Sequence, residues 1–274
     1  MDLRYLAAEI TGRCQLECTH CYAESGPSGT DGTMTVADWK RVIDEAVALG
    51  ARQVQFIGGE PTQHRGLPEL IRHTLAAGVD AEVFSNLVHL PDEVWEAISA
   101  PGAQLATSFY TDDPVEHMRI TGRNTLPRTQ ANIMEALARS IPLRVTLVAM
   151  KAGQRITEAE ALLRSLGVER IRTDRLRALG RPNPGGASVD ELCGHCGQGR
   201  VAVSPAGDVW PCVMGRFLVT GNVLQQPLGD VLTGRAWQET LARVPRSGGK
   251  ACAPECNPAS DGGDCAPAQQ VDGE

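Results

Sequence analysis

The sequence predicts an α/β fold, and three observations lead there. Apolar strand-like runs alternate six times with amphipathic helical stretches between Leu3 and Arg175, with short connections. Such alternation means parallel βα units joined by right-handed crossovers. A Pro- and Gly-rich stretch near residue 180 then interrupts the pattern, and six of the nine cysteines lie beyond it. The other three occupy one short loop after the first strand.

The elements follow in order. Arg4 to Thr11 reads as a buried strand that delivers the cysteine loop at its C-terminal end, where parallel α/β folds place their chemistry. Thr35 caps the first helix with Asp38 three residues on. Its stripe is Val36, Trp39, Val42, Ile43, Ala46 and Val47, and Gly50 ends it. Val54 to Ile57 is the second strand, followed by Gly58-Gly59-Glu60-Pro61. A helix near Leu67 to Ala77, a strand from Ala81 to Ser85, a helix around Asp92 to Ser99 and a strand from Gln104 to Phe109 come next. One helix from about Arg128 to Ser140, a strand from Leu143 to Ala149, a helix from Ile156 to Leu166 and a short strand from Arg170 to Asp174 complete the alternation.

Composition bounds the function. The chain carries 26 Lys and Arg against 33 Asp and Glu, a net charge of -7. That balance repels nucleic acid and anionic membranes and favours a cationic partner. No apolar run approaches a membrane span, and Met1 to Tyr5 shows no signal peptide, so a soluble cytoplasmic protein is expected. Nine cysteines without an export signal point to metal or redox chemistry rather than disulfides.

Cys14, Cys18 and Cys21 stand in a C-x3-C-x2-C loop. Three thiolates at this spacing suit one face of an iron–sulfur cube and leave a fourth iron open. Zinc is the alternative, but zinc sites usually show two cysteine pairs, and the next cysteine is Cys193. The loop, placed directly after a first strand, resembles the signature of the radical S-adenosylmethionine (SAM) superfamily. The resemblance covers about Leu3 to Arg175 and implies a partial (β/α)6 TIM barrel. It also implies SAM as cosubstrate on the open iron, an external electron donor, and reductive cleavage to a 5′-deoxyadenosyl radical.

The same resemblance assigns further residues. Gly58-Gly59-Glu60 looks like the family's GGE motif, whose backbone and carboxylate hold the SAM amino group. His20 is expected to pack on or bond the adenine; otherwise it is a solvent-facing loop histidine. Ser85 and Asn86 after strand three, Thr107 and Ser108 on strand four, and Arg175 after strand six lie at the right end of the barrel for SAM contacts. A polar pair leaving a strand is also ordinary turn chemistry.

Beyond the barrel (1–178) and a linker (179–190), residues 191–274 resemble the SPASM or twitch extension of radical SAM maturases, a small cysteine-rich auxiliary-cluster domain. Val201, Val203 and Val209 alternate around the Pro205-Ala-Gly207 turn, so a hairpin would bring Cys196 and Cys212 together. Cys193, Cys196, Cys212 and Cys265 are expected to hold one auxiliary [4Fe–4S] cluster, with zinc as the alternative. Two cysteines then remain. Cys252, with Cys256 as runner-up, is the expected hydrogen donor to a substrate radical, which gives inversion.

The substrate reading follows from less. The barrel starts by residue 4 and no leader-binding domain precedes it, which favours a small substrate. Asp112, Asp113 and Glu116 after strand four could meet the ammonium groups of an amino sugar, although a charged loop is commonly just solvated surface. These features resemble the neomycin-type aminoglycoside epimerases of antibiotic biosynthesis. The runner-up is a SPASM maturase of a ribosomally made peptide, forming a crosslink or epimerising an amino acid. A non-catalytic iron–sulfur scaffold, the third reading, would not need the GGEP turn.

Overall fold

The computed structural model describes residues 3–245 of the chain. Six parallel strands form the first part of one sheet: β1 (Tyr5–Thr11), β2 (Gln53–Gly58), β3 (Asp80–Phe84), β4 (Ala103–Phe109), β5 (Leu143–Ala149) and β6 (Arg170–Arg175). Their spatial order is sequential, as short right-handed crossovers require. The sheet does not stop at β1. Strands β7 (Arg200–Val203), β8 (Asp208–Trp210) and β9 (Gly221–Asn222) extend it, in the order β6-β5-β4-β3-β2-β1-β7-β8-β9. Tyr5 to Ala8 of β1 pair in parallel with Arg200 to Val203 of β7, so the cysteine-rich extension continues the barrel sheet. The fold is the open, partial barrel expected from the six-unit count.

The helices α1 (Val36–Ala48), α2 (Leu67–Ala76), α3 (Asp92–Ile98), α5 (Leu126–Ala138) and α6 (Ile156–Ser165) cover one face of the sheet. Period-two alternation decides which strand residues meet them. Leu6, Ala8 and Ile10 of β1, Val54 and Phe56 of β2, Leu105 of β4 and Leu147 of β5 pack there with Trp39 of α1. Thr35 caps α1 in the expected capping box: its hydroxyl accepts from Asp38 N at 3.1 Å while Asp38 Oδ2 accepts from Thr35 N at 2.9 Å. The extension joins the same core through Val201, Val203, Val209 and Trp237, the last carried by α8 (Arg235–Arg243) after α7 (Leu228–Thr233).

The opposite strand face is mixed: Tyr5, Ala7, Ile57, Ala202 and Trp210 form a small apolar cluster there, beside buried charges. Glu82 of β3 accepts from both Arg144 Nε and Arg144 Nη2 of β5 at 2.7 Å and from Gln55 of β2, all buried. Glu9 of β1 pairs with Arg216, whose guanidinium lies 4.5 Å over the Trp210 ring. Buried charges require such pairing, because an unpartnered ion in the interior is costly.

One stretch departs from the sequence expectation. The region after β4 forms two helices rather than one, because α4 (Pro114–Thr121) precedes α5. Asp113 caps α4 by accepting from Glu116 N, and Gly122 ends it at φ 81°. Its apolar pattern is weak because Val115 and Met118 face solvent. Among the described residues, no helix is long and apolar enough to cross a membrane.

His117 anchors α4 to the following turn, its Nε2 lying 3.0 Å from Thr125 Oγ1. Burial lowers its pKa from 6.5 to about 4. A histidine held neutral in the folded state costs stability wherever the unfolded chain takes up a proton first. Stability should therefore fall as pH drops from 6.5 towards 4. His117→Gln should flatten that limb, as measured by denaturant midpoints across the range.

Candidate active site

The cysteine loop leaves β1 and is held from two sides. Glu17 N donates to Thr121 O and Thr19 N to Ile120 O at 3.2 and 2.9 Å, tying the loop to the end of α4. Arg181 straps the other side. Its guanidinium donates to Cys18 O and Ser25 O, and its backbone N donates to Cys21 O. The Pro- and Gly-rich stretch expected as a linker thus packs directly on the loop.

Burial pushes the Cys14 thiol up to about 12, and it raises Cys18 further, with the neighbouring cysteines adding to the effect. Thiolates in such a place are stable only against cationic charge, which an iron site supplies. N–H donors already face the sulfurs. Leu16 N and Asn86 Nδ2 approach Cys14 Sγ at 3.4 and 3.7 Å, and Ser25 N approaches Cys21 Sγ at 3.3 Å. Outer hydrogen bonds of this kind orient metal ligands.

At the end of β2, Gly58 and Gly59 lie against the loop backbone. A Cβ on Gly58 would overlap Thr11 O, and one on Gly59 would overlap Arg13 O. Only glycine permits that approach, which leaves bare backbone on the cavity wall. Glu60 is different. Its carboxylate is fully buried and accepts from Thr62 N at 3.1 Å, Thr62 Oγ1 at 2.8 Å, Ser85 Oγ at 2.8 Å and Asn86 N at 2.8 Å. Within the protein, the group accepts from these donors and ties the end of β2 to the end of β3.

A cavity opens at the C-terminal ends of the strands. Cys14, Cys18 and Cys21 line it together with Arg175, Arg177 and Met214. Ser85 and Asn86 line it as expected, but Thr107 does not. Thr107 shares the parity of Leu105 and Phe109 and is buried on the helix side, so Ser108 takes the cavity position. Two residues on, Tyr110 also lines it, with its hydroxyl 3.0 Å from His20 Nε2. His20 is therefore a half-buried wall residue, and its loss of solvent lowers its pKa to about 4. Sequence reasoning overlooked Tyr110, two residues on from Ser108 and so on the same face, and Asp174, the immediate neighbour of Arg175.

The lining includes buried polar atoms without a partner among the described residues: His20 Nδ1, Tyr22 Oη and Asp174 Oδ2. Bare glycine backbone, orphaned donors and acceptors, and three thiols on one loop, one buried and two half-buried, together fit an iron–sulfur cluster with a polar cosubstrate such as SAM. The acidic loop is committed elsewhere. Asp112 accepts from Arg155 Nε and Nη2 at 2.7 and 2.8 Å, Asp113 caps α4, and Glu116 pairs with Lys151 at 3.1 Å. None of the three lines the cavity.

The hairpin of β7 and β8 does bring Cys196 and Cys212 together, with sulfurs 3.1 Å apart in a buried cluster with Leu192 and Leu218. Proximity to the second sulfur and burial hold the Cys196 proton on. Cys193 is half-buried nearby, while Cys252, Cys256 and Cys265 lie outside the described residues.

Comparison with known proteins adds to this geometry. A family model described as the radical SAM superfamily matches residues 8–166, and one described as an iron–sulfur cluster-binding domain, SPASM, matches residues 193–258. A PqqA peptide cyclase of Xanthomonas campestris is 30% identical over 166 residues, covering 60% of this chain and 44% of that protein. The chain thus spans less than half the length of this curated relative. Among solved structures, Streptococcus suis SuiB bound to precursor peptide SuiA aligns with a TM-score of 0.75 at 14% identity, over 90% of this chain and 67% of that one. Native anSMEcpe with bound AdoMet aligns at 0.68 and 14%, over 87% and 82%. At these identities the structural likeness establishes the fold.

Glu60→Gln tests the tie between β2 and β3. An amide would turn one N–H pair towards protein donors, and a buried group left unsatisfied costs about 1–3 kcal/mol. The variant should unfold at lower denaturant and bind less iron on reconstitution, since Asn86 supports both Glu60 and Cys14. Unchanged stability and iron content would show that the tie is dispensable.

Proposed function

The chain belongs to the radical SAM superfamily, and from that premise we propose that it modifies a ribosomally made peptide as a SPASM maturase, forming a crosslink or epimerising an amino acid. Its cofactors are [4Fe–4S] clusters and SAM. When bound and reduced, they supply a 5′-deoxyadenosyl radical that removes hydrogen from a substrate carbon. Cys14, Cys18 and Cys21 hold the SAM-binding cluster, and Gly58 and Gly59 leave backbone free for the cosubstrate. Cys193, Cys196 and Cys212 serve the auxiliary site.

One observation carries the reading. The cavity is lined both by the cysteine loop and by Met214 of the auxiliary extension, whose strand β7 pairs directly with β1. A substrate there lies between the two cluster sites. The peptide enters through the relatives, a peptide cyclase and a protein solved with its precursor peptide. Inversion of an amino sugar, the first expectation from the sequence, receives no support from them.

Cys14→Ala, Cys18→Ala and Cys21→Ala should each abolish deoxyadenosine formation in anaerobically reconstituted protein, because each removes a cluster ligand. Retained cleavage in any of them would overturn the assignment. For the substrate, short peptides encoded beside the gene are incubated with the protein, SAM and reductant in deuterated water. A product two mass units lighter means a crosslink, and one mass unit heavier means epimerisation. Unmodified peptides alongside a converted aminoglycoside would reverse the proposal.

A further inference from the structure

The turn after the third loop cysteine carries a side chain that reaches the second group of cysteines. Tyr22 follows Cys21 in the chain, and its ring packs against two apolar clusters, one around Tyr5 and Trp210 and one containing Cys196 and Cys212. Met214, two residues after Cys212, packs against the same two clusters and lines the cavity with Tyr22. Among the described residues, no other side chain of the cysteine loop joins the cluster that holds Cys196 and Cys212.

The backbone at this turn is clamped. Arg181 N donates to Cys21 O at 3.1 Å, and Gly180, at φ 64°, lies so close that a Cβ there would overlap Tyr22 O. The hydroxyl stands apart from this order. Tyr22 is half-buried as a residue, but its oxygen is shielded from solvent and has no hydrogen-bond partner among the described residues. Burial raises its pKa, and thiolate charge at Cys21 and Cys212 adds to the effect, so the hydroxyl keeps its proton and is a donor. A donor held dry in this way calls for an acceptor. The Cys21 sulfur already has Ser25 N at 3.3 Å, whereas the Tyr22 ring lies against the auxiliary cysteines.

We propose that the Tyr22 hydroxyl donates its hydrogen bond to a sulfur of the auxiliary cluster held at Cys196 and Cys212, and so sets how readily that cluster takes up an electron. A donor aimed at a cluster sulfur favours the reduced, more negative form, because the positive end of its dipole faces the added charge. The uptake is of one electron, no bond forms or breaks, and the hydroxyl keeps its proton. Since Tyr22 is fixed by the loop that carries Cys21, the first cluster's loop supplies a donor to the second cluster. The proposal rests on the auxiliary-cluster reading given above and not on the identity of the peptide.

The test is a redox titration of the full reconstituted chain followed by electron paramagnetic resonance. Added SAM perturbs the signal of the cluster it binds and leaves the auxiliary signal alone, which separates the two. Tyr22→Phe keeps the ring and removes only the donor. It should shift the auxiliary cluster's reduction equilibrium towards the oxidised form by about threefold or more, a fall of about 28 mV at about 59 mV per tenfold for one electron. The potential of the SAM-binding cluster and the iron content should not change. Tyr110→Phe, which removes the hydroxyl bonded to His20, should leave the auxiliary potential where it is. A 3-fluorotyrosine placed at position 22, a stronger donor of nearly the same shape, should raise the auxiliary potential, and it decides the matter if the Phe variant loads less iron. An auxiliary potential that neither replacement moves overturns the proposal, as does an equal shift of both clusters. Wild-type protein with iron for one cluster and only the SAM-responsive signal overturns the auxiliary-cluster reading itself and the proposal with it.

Discussion

The position of β1 between two parallel partners is the constraint on which the rest of the molecule depends. Tyr5 to Ala8 hydrogen-bond to Gln53–Phe56 of β2 on one edge and to Arg200–Val203 of β7 on the other. A strand buried on both edges and both faces has its register fixed, since a one-residue slip would exchange Leu6, Ala8 and Ile10 with Ala7 and Glu9. The loop that begins at Gly12 is therefore delivered to one place, at the ends of both the barrel and the hairpin. The proximity of two cysteine groups far apart in sequence follows from that one strand.

Around this frame, the interior face combines paired charges with a small apolar cluster around Tyr5 and Trp210, and the outer face is apolar. The Glu82–Arg144 pair with Gln55 occupies the polar face deep under the cavity, and the Glu9–Arg216 pair stacks under Trp210. Burial depresses the Arg216 pKa to about 10 even beside its carboxylate. These pairs place charge beneath the site without presenting it to the cavity, while the lining itself holds thiols, glycine backbone and a few orphaned polar atoms. Buried ions of this sort are a weak source of net stability, and their geometry matters more than their energy.

Glu60 shows that a motif carboxylate also has work inside the protein. Four donors from Thr62, Ser85 and Asn86 hold it in place, and the glycines before it supply the exposed backbone. The carboxylate acts on the site at one remove, through the strand end that carries Asn86 to Cys14. Asp112, Asp113 and Glu116 make the same point, since residues near a barrel mouth are often there to cap and clamp the helix that follows.

Much was legible in the chain itself. Periodicity placed β1 to β6 and five of their helices, spacing singled out Cys14, Cys18 and Cys21, and turn chemistry joined Cys196 to Cys212, because all of these are local patterns in which neighbours in sequence are neighbours in space. The helix α4 was missed because its apolar stripe is interrupted by exposed Val115 and Met118. Thr107 was selected together with Ser108, and Tyr110 was passed over, because a polar residue at a strand end attracts attention before its parity is counted. The pairing of β7 with β1, the strap of Arg181 across the loop and the saturation of Glu60 were decided only by tertiary structure. Each joins segments dozens of residues apart or more, and whether such groups meet depends on packing and burial that no single stretch of sequence contains.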